Sequence, residues 1–439
     1  MGKFYSDFWF KNATQFGYQA PVLVLIIAYF FLLWMPSNTA VAGLIWGFVL
    51  ALLPFVLPVL LGELTLHAWV EYKRQQDYWT TEQTVLEVRL PEEITQSPYA
   101  AELFLRVLYQ TGEVDTPVHG LRGKTKPWFS LEIASFEGVV RFYVWTRTRY
   151  KEIVKAQLYA HYPTVQVVEV SDYTLSLPYD PAVLSLWGTT QQLQKPDPYP
   201  IMTYVAWQLD KEKKEEFKSD PLLSLIEFMG SLGPGEYLWH QIIVRGHTEC
   251  PWAEEKTGHA LTLDKWVEHE KEQILAKTVV DEKDRPNYSK LSMGDKDLID
   301  SMERKLNKQL FDVGIRTIYL ARHENLNTAR NAGIPTAFRS FEHGSEGRGL
   351  NGLKPIFYVG PFNFPWHDFM GIRRARLRRR MYEGFVSRQF FYEPHHDYHI
   401  ALNSEEIASL WHFPGKVAHT PTLERMPSRR SEAPANLPI

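Results

Sequence analysis

Residues 128–146 read WFSLEIASFEGVVRFYVWT, and the class of fold turns on them. Trp128 to Ser135 and Val139 to Thr146 are rich in β-branched and aromatic residues, and Phe136-Glu137-Gly138 between them signals a hairpin. Upstream, Thr84–Leu90 (TVLEVRL) alternates as a strand, and Ser97-Pro98 opens an apolar-periodic helix running to Gln110 with Leu103 and Val107 on one side. Downstream, Tyr150–His161 reads as a helix stopped by Pro163, and Val165–Val170 as another strand.

The order over residues 80–180 is therefore βαββαβ, the split-βαβ pattern of ferredoxin-like folds. Past a proline-rich joint, Lys195–Pro200, the pattern partly restarts. Ile201–Leu209 reads as a strand, Pro221–Leu232 as a helix and Glu236–Arg245 as a strand. A charged stretch from about Pro251 to Gln309 carries Leu298, Met302, Leu306 and Leu310 at helical spacing, and Val313–Leu320 reads as a buried strand. The expectation is an α+β protein, with a second α+β unit over 200–400 interrupted by a helical insertion at about 251–310, and a connector and proline-rich tail over 401–439.

Ahead of these units, no Asp, Glu, Lys or Arg occurs between Asn12 and Gly62. Two apolar runs, at about 20–35 and 40–61, flank Pro36-Ser37-Asn38-Thr39, which predicts a two-helix transmembrane hairpin within residues 1–75. Lys3, Lys11, Lys73 and Arg74 flank the hairpin while its turn is uncharged, so both termini and the large domain are expected on the cytoplasmic side of the cytoplasmic membrane. The remaining composition is that of a folded chain: 45% apolar, 14% aromatic and a net charge of -3, which excludes a polycationic nucleic-acid coat and intrinsic disorder. A single cysteine, Cys250, excludes an intramolecular disulfide and a multi-thiolate zinc site.

Several motifs suggest chemistry and fail on context. Gly123-Lys124-Thr125 looks like the end of a phosphate loop, but Val118 stands where the first glycine belongs. Gly347, Gly349 and Gly352 fit G-x-G-x-x-G, yet a strand-like run follows where a dinucleotide site needs a helix. Neither supports a cofactor or ATP hydrolysis, so a non-enzyme without cofactors is expected. His395, His396 and His399 are metal-ligand types, but Pro394 places them in a loop or strand, where four-residue spacing does not bring ligands together. Gly371–Arg388 carries seven arginines and one glutamate. As a helix it aligns Arg373, Arg376 and Arg380, beside Arg374, on one side and Leu377, Met381 and Phe385 on another. Such a helix suits anionic lipid, nucleic-acid phosphate or an acidic partner, or simply packs on its own domain.

Leu402–Pro414 (LNSEEIASLWHFP), with Glu405, Glu406, His412 and Pro414, followed by Thr420–Leu423 and Glu432–Pro438, resembles the connector ahead of the motor in bacterial HerA-type and conjugative type IV secretion ATPases. Trp239–Val244, Phe311–Leu320 and Leu350–Pro355 resemble the non-motor region of the same proteins, and Glu93–Thr111 resembles a two-span membrane-anchored variety from small-genomed bacteria. The resemblance implies a membrane-anchored, non-catalytic platform or N-terminal portion of a hexameric translocation ATPase, with a HerA-type motor as partner and self-association possible. The sequence reaches Ile439 where such proteins would enter the motor, so the family's ATP-binding residues have no positions in it. The competing readings are a peripheral nucleic-acid or anionic-lipid binder using Arg373–Arg380 and a metal-dependent enzyme using His395–His399.

Overall fold

One long helix, α1 (Ala40–Thr80), leads into β1 (Gln83–Pro91), α2 (Pro98–Leu108), β2 (Trp128–Phe136), β3 (Val139–Arg147), α3 (Lys151–His161) and β4 (Gln166–Val170). The computed structural model describes residues 40–91, 94, 96–109, 120–210, 220–247, 263–278, 292–342, 350–356, 368, 370–415, 423, 425 and 426. β2 and β3 form the hairpin that their sequence predicts, turning through Glu137 and Gly138, both at positive φ (54° and 92°) as two-residue hairpin turns demand. β1 pairs antiparallel with both β3 and β4, so these strands lie in the order β4-β1-β3-β2.

That order then repeats. β5 (Leu184–Leu193), α4 (Leu222–Gly230), β6 (Glu236–Gly246), α5 (Leu263–Thr278), α6 (Met293–Leu306), β7 (Leu310–Arg322), α7 (Ala329–Ala337) and β8 (Leu353–Ile356) follow in the chain. Their strands pair antiparallel as β8-β5-β7-β6. α5 and α6 occupy the place of the hairpin turn between β6 and β7, where the sequence predicts a helical insertion. The two halves join edge to edge: β6 pairs antiparallel with β2 from Trp128↔Arg245 to Phe136↔Tyr237. Glu132↔Gln241 is the midpoint of that ladder, and a topological two-fold through it exchanges the halves. After α8 (Ile372–Ser387), β9 (Ile400–Asn403) adds to β7, α9 (Ser404–Leu410) follows, and β10 (Arg425–Met426) adds parallel to β1, completing a ten-stranded sheet.

This arrangement alters three expectations. The first strand of the second half is Leu184–Leu193, not Ile201–Leu209; Ile201 makes one isolated bridge with Asn351 and the chain then turns. The turn is held because the amides of Ile201 and Tyr204 donate to the side chains of Glu406 and Ser409 rather than to a strand. Residues 80–180 and 200–400 do not separate as units: Lys73–Ile439 is one compact unit, because the β2–β6 ladder makes a single sheet. Residues 401–413 are not a connector but core, since β9 is in the sheet and every residue of α9 is buried. The first predicted span, 20–35, lies outside the described residues, as do Cys250, Gly347, Gly349 and nearly all of the tail after Gly415. The second predicted span forms part of α1, with Pro54 and Pro58 inside the helix.

Both faces of the sheet are covered. Helices α2, α3, α4, α7 and α9 bury Phe104, Leu158, Leu225, Ile334 and Ile407 on one face. On the other, Met381 and Phe385 of α8 pack with Tyr78, Trp128, Trp145, Tyr173 and Trp239. At the centre of this second face, the buried Glu132 carboxylate accepts from Arg388 Nε (3.0 Å), Ser130 Oγ (2.7 Å), Gln241 Nε2 (2.9 Å) and Tyr173 Oη (2.8 Å). Arg388 also donates through Nη2 to Asp172 (2.9 Å). Burial alone would weaken the guanidinium's hold on its proton, but Glu132 and Asp172 reverse the effect and raise its pKa well above the ordinary value. Removing one partner of such a buried pair strands the other charge in a low dielectric. Arg388→Met is therefore expected to cost about 3–5 kcal/mol in chemical denaturation, and Arg388→Met with Glu132→Gln to recover part of that loss. A cost under about 1 kcal/mol for the single change, the range of exposed ion pairs, would remove this pair from the centre of the fold.

Candidate functional site

The chain enters the folded unit through the last turns of α1, and residues that read as ligand sites in the sequence hold it there. Gly123 adopts φ +75°, and a Cβ at that position would lie 2.4 Å from the Lys73 carbonyl carbon, so the helix backbone crosses where only a hydrogen fits. Lys124 Nζ pairs with Asp77 (3.2 Å), and Thr125 Oγ1 accepts from Arg147 Nη2 (3.0 Å), whose Nη1 lies 3.6 Å from Asp77. The Gly123-Lys124-Thr125 run is thus the seat of α1. Tyr78 stacks on Trp128 (5.9 Å between centroids, 8° between planes), Trp128 stacks on Trp145, and the Arg147 guanidinium lies 4.9 Å over Trp128. Tyr78 Oη donates to the Ser387 carbonyl, and Gln75 donates to the Glu393 carbonyl. Burial pushes the Tyr78 phenol up to about 12, so it is neutral and remains a donor. The cavity beside it, lined by Arg74, Tyr78, Trp128, Gln389 and Phe391, measures about 10 Å³, room for a single water.

α8 meets this seat through its C-terminal end, with the predicted arginines in its N-terminal half. Arg373, Arg374 and Arg376 are exposed; Arg374 pairs with Asp368 (3.5 Å), and Arg379 with Glu383 (2.8 Å). Arg380 is half-buried and donates to the Pro394 carbonyl (3.2 Å). Of the apolar stripe, Met381 and Phe385 enter the protein's own core and Leu377 is half-buried.

The histidines do not converge. His396 is exposed, His395 lies against Gly384 of α8, and His399 stacks edge-on with Phe391 (5.7 Å). Among the described residues no group of three or more His, Cys, Asp and Glu is placed to hold a metal ion. Burial, reinforced by Arg316 and Arg380, lowers the His395 pKa to about 4; burial, opposed by Asp312, lowers that of His399 to about 4.

Glu405, Glu406, His412 and Pro414 are buried structural groups. Lys305 Nζ pairs with Glu406 (3.1 Å), with both side chains fully buried, and Glu406 caps α9 by accepting from the Asn403 amide (2.8 Å). Lys308 bridges Glu102 (2.7 Å) and Glu405 (2.8 Å), while His412 Nε2 meets Asp220 (2.9 Å). Gly352 sits beside Gln194 and Glu342 at the start of β8. Sequence reading missed Glu102, Glu132, Tyr173, Asp172, Lys305 and Lys308. A lone acid amid apolar strand residues, as Glu132 is in WFSLEIASF, is the signal that could have exposed the first network.

Two outcomes test this site. Gly123→Ala should cost about 2–4 kcal/mol through left-handed backbone strain and overpacking, and should expose the α1 root to limited proteolysis near Lys73; wild-type stability and cleavage would dismiss the seat. His395 and His399 have folded pKa values below the unfolded 6.5, so their contribution to stability is present above pH 6.5 and is lost as pH falls towards 4. Replacing both with Gln should flatten the stability profile across that window relative to wild type; superimposable profiles would show that neither histidine is held neutral.

No curated protein matches this chain. The family model for a domain of unknown function, DUF8128, matches residues 70–426, which takes in the α1 seat, both halves of the sheet, α8 and the buried α9 segment. The chain therefore belongs to the DUF8128 family.

Proposed function

We propose that this protein is a membrane-tethered, non-catalytic platform whose paired ferredoxin-like halves present an assembly surface to a translocation ATPase of the HerA type. The observation that carries the tether is α1. Within Leu53–Thr80 an 18-residue stretch reaches mean hydropathy 1.6, long and apolar enough to cross a membrane, and side chains such as Phe55, Val59, Leu60 and Leu64 are exposed. About 20 apolar residues span a bilayer core, and leaving them in water would cost about 1.5–3 kcal/mol for each large side chain. Trp69 and Tyr72, also exposed, are the residue types of a membrane interface, and Lys73 and Arg74 follow at the position of cytoplasmic positive charge. The hairpin topology with a first span at 20–35 and both termini in the cytoplasm completes this reading.

The order β4-β1-β3-β2 and its repeat β8-β5-β7-β6 support reading each half as a split βαβ unit. The non-catalytic role is supported by the use of the phosphate-loop-like Gly123-Lys124-Thr125 run in seating α1. The motor partner rests on the resemblance of the segments at Trp239–Val244, Phe311–Leu320 and Leu402–Pro414 to the non-motor region of those ATPases.

Full-length protein should remain in the membrane fraction after alkaline carbonate extraction. Removing residues 1–72 should release a soluble folded unit, whereas removing 1–80 should give an aggregating one, because Tyr78 is then missing from beneath Trp128. A carbonate-extractable full chain would end the tether reading, and equal behaviour of the two truncations would end the role of the seat. Crosslinking in native membranes should recover a Walker-motif ATPase; its consistent absence would end the motor assignment.

A further inference from the structure

The N-terminal half of α8 combines two features that a domain surface ordinarily keeps apart. Met370 is 83% exposed and Ile372 64% exposed, and they flank Gly371 at the start of a helix whose outer face is arginine. Met370 and Gly371 both have positive φ (53° and 74°), a conformation a bulky residue rarely adopts, and the turn they make presents Met370 to solvent rather than to the sheet. Between residues 368 and 383 six arginines face two acids, Asp368 and Glu383, on a chain whose net charge is -3. The remainder of α8 has no such character, since Met381, Gly384, Phe385 and Ser387 are buried against the sheet. One helix is thus core at its C-terminal end and a cationic, apolar-tipped surface at its N-terminal end.

The place of this surface selects its partner. The C-terminal end of α8 touches the α1 root, through Tyr78 to the Ser387 carbonyl and Gln389 Nε2 to Gln75 (3.1 Å). Tyr78, Met381 and Phe385 share one cluster, so the root and α8 lie on the same face of the sheet. The helix is 16 residues long, about 24 Å at 1.5 Å per residue, so its arginine end stands within that reach of the point where the tether enters the unit. Exposed apolar side chains flanked by arginines complement a headgroup layer, the former entering the acyl boundary and the latter meeting lipid phosphate. Nucleic acid would use the arginines but give Met370 and Ile372 no apolar environment.

We infer that Met370, Ile372, Arg373, Arg374, Arg376 and Arg379 form a second membrane contact that docks the folded unit onto anionic lipid headgroups. This rests on the tether reading for its local concentration of lipid, but not for its chemistry. The tether supplies proximity, and the patch fixes which face of the sheet meets the bilayer, leaving the α2, α3, α4, α7 and α9 face for protein partners. Each arginine near an anionic surface contributes about 1 kcal/mol, roughly fivefold in the docking equilibrium.

The test uses the full chain carrying Cys250→Ser and Met370→Cys, labelled at the new thiol with an environment-sensitive fluorophore. It is placed in nanodiscs of phosphatidylcholine alone or doped with phosphatidylglycerol. The expected result is a blue-shifted label quenched by bilayer-borne quenchers only in the anionic discs, weakened by added salt. Arg373→Glu with Arg376→Glu should lower the docked fraction more than tenfold in equilibrium constant, and Ile372→Ser should lower it at unchanged charge. Inorganic phosphate should not displace the label; displacement would identify a free-phosphate site instead. A label that stays in water in anionic discs overturns the inference, as does duplex DNA that binds the neutral-disc sample and is lost on the same arginine reversal. If the chain does not enter discs, the tether reading fails alone, and response of the same label to anionic vesicles still decides the patch.

Discussion

The ion pair between Arg388 and Glu132 is the constraint from which the α8-covered face of this structure hangs. Glu132 lies at the midpoint of the β2–β6 ladder, opposite Gln241, where the two halves of the sheet meet. A carboxylate there is tolerable only with its lone pairs filled, and Arg388, Ser130, Gln241 and Tyr173 fill them. Arg388 can reach it because α8 ends in a left-handed residue, Arg388 itself at φ 50°, which turns the side chain inward. Its carbonyl then accepts from Trp128 Nε1 (2.9 Å), and Trp128 is the ring on which Tyr78 of α1 stacks. Sheet centre, α8 and the C-terminal end of α1 therefore form one continuous set of contacts.

A second buried charge system does the corresponding work on the opposite face. Lys305 at the end of the inserted α6 meets Glu406 of α9 with both side chains out of water, and Lys308 joins Glu102 of α2 to Glu405. Glu102 also accepts from Tyr204 Oη (2.7 Å), which draws in the turn after the proline-rich joint. The insertion, the joint and the C-terminal segment are each polar enough to look peripheral in the sequence. They are locked together because each supplies the counter-charge the others need. Glu406 illustrates the tension: burial raises its pKa despite Lys305, and two backbone amides contribute to holding the charged form.

The two faces differ in what covers them. α2, α3, α4, α7 and α9 form a conventional helical layer, whereas the other face carries α8, the C-terminal end of α1 and an aromatic cluster of Tyr78, Trp128, Trp145, Tyr173 and Trp239. The topological two-fold of the sheet is broken by this unequal cover. A sheet built from two like halves thus acquires two unlike faces through α1 and the segments added after the second half.

The sequence by itself determined the local elements whose signals are short-range. The 128–146 hairpin, the helices near 98–108, 151–161 and 222–230, the helical insertion and the arginine helix all follow from periodicity, turn residues and proline. It also determined that Gly123-Lys124-Thr125 lacks a phosphate-loop context, because that failure is visible at Val118. Only the tertiary structure decided what these pieces are for. Leu184–Leu193 ends in polar Thr189–Gln192, which is legible as a strand only once β7 and β8 supply its partners. Glu405 and Glu406 read as a charged connector until Lys305 and Lys308, about a hundred residues away, neutralise them in the core. A buried charge is decided by a partner distant in sequence, and pairing between distant segments leaves no periodicity in either one to read.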